Sequence, residues 1–131
     1  MKALIVAIAC ATMLALSGVA HAAQIASPTI FGSIEQVLGE CSVINGSTGT
    51  LTVSLKIVDE LGITAATSNC DGPLTAGEFC ALSVPIDNAA GYACIATGQT
   101  TNLRGSMALE RKVQDSSGLF NFQIIRIAPM R

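Results

Sequence analysis

Four cysteines carry most of the chemistry that this chain could perform. Five cysteines occur in the 131 residues, and four of them lie in the central part, at Cys41, Cys70, Cys80 and Cys94. Cysteines can act as thiolate nucleophiles, hold a metal ion or form disulfides. The gaps between these four, 29, 10 and 14 positions, lack the close pairs that are typical of a four-cysteine zinc site. The choice between free thiols and disulfides then depends on the compartment in which the chain folds.

The first 22 residues have the pattern of an export leader. Lys2 precedes an apolar run over residues 3–16, and Ala20-His21-Ala22 matches a small-residue cleavage motif. The run is shorter than the roughly 20 residues that are needed to cross a bilayer. We therefore predict a signal peptide over 1–22, a secreted or periplasmic domain over 23–131 and no membrane span after cleavage. In an oxidising compartment the four remaining cysteines are expected to form two disulfides.

Histidine chemistry is excluded by the same leader, because His21 is the only histidine. Its removal leaves no Ser-His-Asp or Cys-His arrangement and no histidine metal ligand. Oxidised cysteines supply no thiolate nucleophile. We therefore predict no metal site and no cofactor.

Carboxylates are the remaining candidates for catalysis. They occur in three sequence pairs: Asp59 with Glu60, Glu35 with Glu40, and Asp71 with Glu78. A two-carboxylate glycosidase also needs a cleft for sugar rings, and this chain has one tyrosine and no tryptophan with which to line one. Solvated acids in turns explain these residues better, so we predict no catalytic residue and no enzymatic activity.

The charge pattern excludes two further classes of partner. The net charge is −2, and the lysines and arginines are scattered along the sequence. A nucleic-acid-binding protein shows a basic patch, and docking on anionic lipid also needs a positive surface. We expect neither partner.

Period-two hydrophobicity is the clearest structural signal. Between Thr50 and Asp59, the positions of Leu51, Val53, Leu55 and Ile57 alternate with polar residues, which predicts a strand with one buried face. Similar segments recur about every ten residues between turn signals, a spacing typical of a sandwich or barrel. We predict one all-β domain, an antiparallel β-sandwich of about seven to eight strands, the eighth near Ala26–Ile30.

The last predicted strand, over residues 119–127, alternates less regularly. Phe120, Phe122 and Ile124 share one face, which we expect to lie mostly in the core. The doublet Ile124-Ile125 breaks the alternation, so one apolar residue is expected to face outward. An exposed apolar edge strand can pair with another chain.

Three short segments carry a resemblance to a known class. Val43-Ile44-Asn45-Gly46, Leu74-Thr75-Ala76-Gly77-Glu78 and Gly91-Tyr92-Ala93-Cys94 resemble the turn, strand-entry and Tyr-x-Cys segments of immunoglobulin-like sandwich modules in secreted bacterial proteins. The resemblance implies an immunoglobulin-like fold, a structural tyrosine corner at Tyr92 and an inter-sheet disulfide Cys41–Cys94, which leaves Cys70–Cys80. A simple hairpin over 79–97 implies the rival pairs Cys80–Cys94 and Cys41–Cys70, and the residues alone leave both pairings open.

The function predicted from these features is a non-enzymatic interaction module that binds an unidentified protein through an edge strand or loops. The last strand and the loops Asp87–Gly91 and Gly98–Asn102 are the candidate surfaces. One alternative is an assembling pilus or surface-layer subunit that donates the apolar segment Ala23–Phe31 to a neighbour. Another is a secreted enzyme inhibitor that presents the loop Asp71–Phe79. The sequence leaves the oligomeric state open.

Overall fold

The computed structural model describes residues 23–32, 37–86 and 90–131, so the predicted signal peptide lies outside the described residues. Within those ranges the chain forms nine strands and no helix. The strands are β1 (Ala23–Ala26), β2 (Ile30–Phe31), β3 (Leu38–Asn45), β4 (Val53–Asp59), β5 (Thr64–Ser68), β6 (Phe79–Pro85), β7 (Gly91–Gly98), β8 (Leu103–Gln114) and β9 (Phe120–Pro129). The prediction of an all-β domain is confirmed.

The strands form two antiparallel sheets. In sheet A, β7 pairs on one side with β1 and β2 and on the other with β4, which in turn pairs with β5. Sheet B has the order β6-β3-β8-β9. The architecture is therefore sandwich-like, as predicted. The immunoglobulin-like type remains a prediction. One feature that departs from it is that β7 and β8 follow each other in the chain but lie in opposite sheets.

The predicted number of strands is too low, and the error lies at the start of the domain. A single strand was expected near Ala26–Ile30, whereas the structure has two short strands there, separated by Ser27-Pro28-Thr29. Proline has no N–H to donate to a ladder, so it interrupts pairing. Ser27 instead bonds to β7: its N–H donates to the Cys94 carbonyl at 2.9 Å, and its Oγ accepts from the Cys94 N–H at 2.9 Å.

The core lies between the sheets and is aliphatic. The alternation seen in the sequence of β4 is confirmed, since Val53, Leu55 and Ile57 are at most 2% exposed. Met107 and Leu109 of β8 face them from sheet B and are fully buried. A side chain at Gly105, on the same face of β8, would collide with Met130 and with the backbone of Ser42, so this position requires glycine.

Two disulfides connect segments of the two sheets. The Cys41–Cys94 bond joins β3 of sheet B to β7 of sheet A, with the two Cα atoms 5.4 Å apart. The Cys70–Cys80 bond ties the segment after β5 to the start of β6. Because β6 and β7 belong to different sheets, they do not form the simple hairpin on which the rival pairing depended.

The last residues of the chain close one side of the sandwich. Arg131, two residues beyond β9, exchanges two backbone hydrogen bonds with Ala26 of β1, each 3.1 Å long. Nearby, the Arg126 guanidinium donates to the carbonyl of Phe31 at 3.1 Å. The C-terminal end of β9 is therefore attached to the edge of sheet A.

Candidate interaction surface

All four phenylalanines of the chain lie on its surface. Their exposed fractions are 55% for Phe31, 73% for Phe79, 56% for Phe120 and 58% for Phe122. Phenylalanine is usually among the more buried residue types, and clustered exposure of large apolar side chains marks interaction surfaces. The aromatic surface of this protein is therefore presented outward, and it is concentrated on β9.

The hairpin of β8 and β9 extends past the rest of sheet B. The pairing of β3 with β8 ends at Glu110, whereas β8 and β9 stay paired as far as Gln114 and Phe120. Four residue pairs of this hairpin, about 14 Å of strand, thus have no other strand beside them among the described residues. We call residues 111–123 the arm.

A β-bulge determines which side chains of β9 face outward. The register shifts between Leu109 and Glu110, whose partners are Arg126 and Ile124, so Ile125 is the extra residue. Four apolar residues then share the face of sheet B that points away from the core. These residues, which we call the β9 stripe, are Phe120, Phe122, Ile124 and Ile127, each at least 55% exposed.

Polar contacts hold the opposite face and the turn of the arm. Arg111 donates twice to Oε1 of Gln123, its cross-strand partner, at 3.0 and 2.8 Å. In the turn, Asp115 Oδ1 accepts from the backbone N–H groups of Ser117 and Leu119 at 2.8 and 3.1 Å. The aromatic side chains of the arm therefore lie on the face directed away from the core, with Lys112 and Gln114 beside them on β8.

Two carboxyl groups of the hairpin have altered acidity. Burial raises the pKa of Glu110, and the neighbouring Glu40 carboxylate raises it further. Hydrogen bonds lower the pKa of Asp115, and the Ser117 hydroxyl is the largest cause. Glu110 is only 8% exposed although it lies beside Ile124 on the outer face, so the β9 stripe borders a partly desolvated acid.

One half of the β9 edge is open and the other is covered. Residues 126–131 contact the segment around β1 and β2 through Ala26 and Phe31. Between Phe120 and Ile124 no other strand of the described chain pairs with the outer edge of β9. An open edge of this kind has free backbone N–H and C=O groups and can add another strand.

The structure places the predicted structural residues in the middle of the sandwich. Cys41 and Cys94 are fully buried between the sheets, and Cys80 is 7% exposed. Tyr92 is half-buried, lies between Ile30 and Asp59 in sheet A and packs against the core. Its role as a tyrosine corner remains a prediction.

Three of the carboxylates weighed as catalytic candidates accept hydrogen bonds from backbone N–H groups. Asp59 accepts from the N–H groups of Leu61 and Ile63 at 2.9 and 2.8 Å. Glu60 accepts from the N–H of Gly91 at 2.7 Å, and Glu78 from the N–H of Thr75 at 2.6 Å. Glu35 lies outside the described residues, as does most of the predicted Asp87–Gly91 surface.

The predicted Gly98–Asn102 surface is a compact turn. The N–H of Leu103 donates to the Thr100 carbonyl at 3.0 Å, and the Asn102 carbonyl accepts from Gly46 at 3.1 Å. The turn is thus fastened to the end of β3 and exposes no large apolar side chain. The β9 stripe is the larger apolar surface.

The expectation that β9 lies mostly in the core is wrong. Phe120, Phe122 and Ile124 do alternate, but the pairing of β9 with β8 places them on the outer face of sheet B, and half of the strand extends beyond β3. The Ile124-Ile125 doublet was the available signal, and it marks the bulge. Phe79 and Glu110 carried no signal in the sequence, because their exposure or burial depends on which strands become neighbours.

Comparisons with known proteins place the chain in no family. No family model and no curated protein matches it. A crystal structure of Thermotoga maritima 1070 is similar at 10% sequence identity with a TM-score of 0.45, over 83% of this chain and 94% of that one.

In the described ranges, no three histidine, cysteine or acidic residues come together as a metal site would require. Those ranges also contain no helix of the length and hydropathy needed to cross a bilayer.

Proposed function

We propose that this protein is an exported, non-enzymatic interaction module that binds a protein partner through the β9 stripe. The observation that carries the proposal is the placement of Phe120 and Phe122, which lie more than half exposed on the outer face of a projecting hairpin. Apolar side chains on the solvent face of a sheet contribute nothing to the core beneath it. Their contribution is to a partner that removes them from water.

The framework suits a site of this kind. The Cys41–Cys94 bond links the two sheets behind the surface, and the polar contacts of Arg111 and Asp115 hold the arm in shape. A partner therefore meets a surface that is ordered before binding, which lowers the entropic cost of association.

Export is supported by the two disulfides, because such bonds persist in oxidising compartments and are rare in the cytosol. The leader pattern over 1–22 agrees with this assignment. The inter-sheet disulfide also supports the immunoglobulin-like arrangement that the resemblance implies, whereas the pairing of β8 with β3 departs from it.

An interaction module is favoured over a subunit that donates its N-terminal segment. In such a subunit the segment Ala23–Phe31 completes a neighbouring molecule. Here β1 and β2 pair with β7 of their own chain, and Ser27 is bonded to Cys94. The segment is therefore already paired within its own molecule.

Site-specific crosslinking in the producing cells tests the proposal. A photoreactive amino acid replaces Phe122, and in a matched control it replaces Phe79, which is exposed on β6 at the opposite edge of sheet B. We expect a discrete crosslinked species from position 122 and none from position 79. Equal yields from the two positions, or none from position 122, would contradict a docking site on the β9 stripe.

A further inference from the structure

The open half of β9 is built to pair with a copy of itself. We infer that two copies of this chain associate through antiparallel pairing of their β9 edges, around a two-fold axis at Phe122. This inference rests on the proposed function, because it names the partner of the same surface.

The backbone supplies the first argument. At the turn of the arm, the N–H of Asp115 donates to the Leu119 carbonyl at 2.8 Å. Along an antiparallel pair, residues bonded to the partner strand alternate with residues whose N–H and C=O point away from it. Counting from Leu119, the backbone groups of Phe120, Phe122 and Ile124 point to the open side. These three residues also carry the outward apolar side chains.

The symmetry supplies the second argument. The open stretch runs from Phe120 to Ile124, and its middle residue is Phe122. A two-fold axis at that point sets Phe122 opposite its counterpart and Phe120 opposite Ile124 of the second copy. Each of these pairs joins residues whose backbone groups face the partner, so they form closely bonded pairs. On the polar face, Asn121 then lies opposite Gln123, and their amides can bond to each other.

The charge pattern of the open stretch is compatible with a second copy. The chain carries a net charge of −2, yet no residue from Leu119 to Ile125 is charged. Like charges directly opposite each other destabilise a strand pair, and natural edge strands often carry a charge or a proline that prevents self-pairing. Neither device is present in this stretch, so two identical strands meet without repulsion.

The available area sets the strength of the association. Since one phenylalanine can bury about 150–250 Å², the three side chains of the open stretch that are more than half exposed, Phe120, Phe122 and Ile124, offer roughly 300 Å² per copy. Two copies then bury at most about 600 Å² of side chain plus the strand edges, which is in the range of weak, transient complexes. We expect a reversible dimer with a dissociation constant on the order of 10–100 µM.

The association closes at two copies. A two-fold pairing uses the same edge of both molecules, so β9 has no free edge left in the dimer. The other edge strand of sheet B, β6, is tied to the segment after β5 by the Cys70–Cys80 bond and ends at Pro85. Dimers are expected, and longer assemblies are not.

Sedimentation equilibrium of the protein with intact disulfides, between about 1 and 300 µM, tests the inference. We expect a monomer–dimer equilibrium. Phe122→Glu and Phe122→Lys each place like charges opposite each other, so each raises the dissociation constant at least about a hundredfold. An equimolar mixture of the two variants dimerises again, because opposite charges then meet at the axis. Phe79→Glu, the control at the far edge of the sheet, leaves the dimer unchanged.

Three results would overturn the inference. They are a wild-type monomer at the highest concentration, a ladder of larger species, and separate Phe122 variants that still dimerise while retaining the wild-type circular dichroism spectrum. Failure here is distinguishable from failure of the proposed function. A crosslink from position 122 to a different protein, with a monomer in the centrifuge, would keep the docking site and remove the second copy as its occupant.

Discussion

The ammonium group of Lys112 lies 3.9 Å from the centre of the Phe120 ring. The two residues belong to the two strands of the arm, and both lie on its outward face. A cation over an aromatic ring is attracted to the ring face, and it also orients the ring. The contact therefore holds the Phe120 ring, the first aromatic ring of the β9 stripe, in a defined orientation in the free protein.

Removal of the cation should weaken this contact. We expect Lys112→Gln to lower the free energy of unfolding by about 0.5–1 kcal/mol, the range for an exposed cation–π pair, whereas Lys112→Arg retains the positive charge and the stability. Urea denaturation of the two variants measures the difference. Equal losses in both would show that the packing of the lysine stem matters and the charge does not.

The core of sheet A should respond strongly to truncation. Leu55 is 1% exposed at the centre of β4, so Leu55→Ala leaves a cavity and should lower the free energy of unfolding by about 2–5 kcal/mol. Leu61→Ala is the matched control, because Leu61 is 78% exposed in the turn after β4, and it should change stability by less than about 0.5 kcal/mol. Similar values for the two variants would argue against the described packing of β4.

The two disulfides should differ in their contribution to stability. Cys41 and Cys94 are 53 positions apart, and Cys70 and Cys80 are 10 apart. Because a cross-link stabilises by restricting the unfolded chain, the longer loop should contribute about 4 kcal/mol and the shorter about 3 kcal/mol. Thermal unfolding of the two double-alanine variants tests the order. A larger loss from the Cys70/Cys80 variant would be the opposite of this expectation.

The buried Glu110 should make stability depend on pH. Because its pKa is raised in the folded protein, ionisation is less favourable there than in the unfolded chain. The contribution of protonated Glu110 to the free energy of unfolding is therefore fully present below the ordinary pKa of 4.5. It is lost as the pH rises through the folded-state pKa. We expect Glu110→Gln to be more stable than the wild type at neutral pH and similar to it near pH 4.

Denaturant unfolding at several pH values measures this dependence. Asp71→Asn is a suitable control, since Asp71 is exposed and has a positive φ of 49°, which asparagine also adopts. A Glu110→Gln variant whose pH profile parallels that of the wild type would disprove the linkage.

The turn of the arm should loosen when Asp115 is lost. Its carboxylate bonds to Ser117 and Leu119 and has a lowered pKa, so its contribution is present above the ordinary value of 3.8 and disappears as the pH falls through the folded-state pKa. Asp115→Ala should speed amide exchange at Ser117 and Leu119 and leave exchange in the core unchanged. Protection factors measured by NMR give this result residue by residue, and uniform acceleration throughout the chain would indicate global destabilisation instead.

The strands were predictable from the sequence wherever one face is covered along its whole length. In β4, the alternation of Val53, Leu55 and Ile57 corresponds directly to burial, because sheet B lies over all three. In β9 Phe120, Phe122 and Ile124 also alternate, but they lie on the outer face of sheet B and are exposed to solvent. Alternation shows that a strand has two different faces, and the neighbours that come from distant parts of the chain decide which face is buried.

The candidate site, too, could be predicted from the sequence only in part. The Ile124-Ile125 doublet indicated an irregularity, but only the partners of Leu109 and Glu110 show that it is a bulge that brings Ile127 onto the same face as Phe122. The cysteine pairing was also open, because the distance between two Cα atoms is a property of the folded chain. In the structure the Cα atoms of Cys41 and Cys94 are 5.4 Å apart, as are those of Cys70 and Cys80.

The hydrogen bonds between Ala26 and Arg131 have a consequence for the connectivity of the chain. Ala23 precedes Ala26 by three residues, about 10 Å of strand, so a linker of about six residues would join Arg131 to Ala23 as a hairpin. New ends can be opened at the exposed Leu61-Gly62 turn, where little backbone is buried. A gene rearranged in this way, reading from β5 through β9 and then from β1 to β4, would encode the same two sheets.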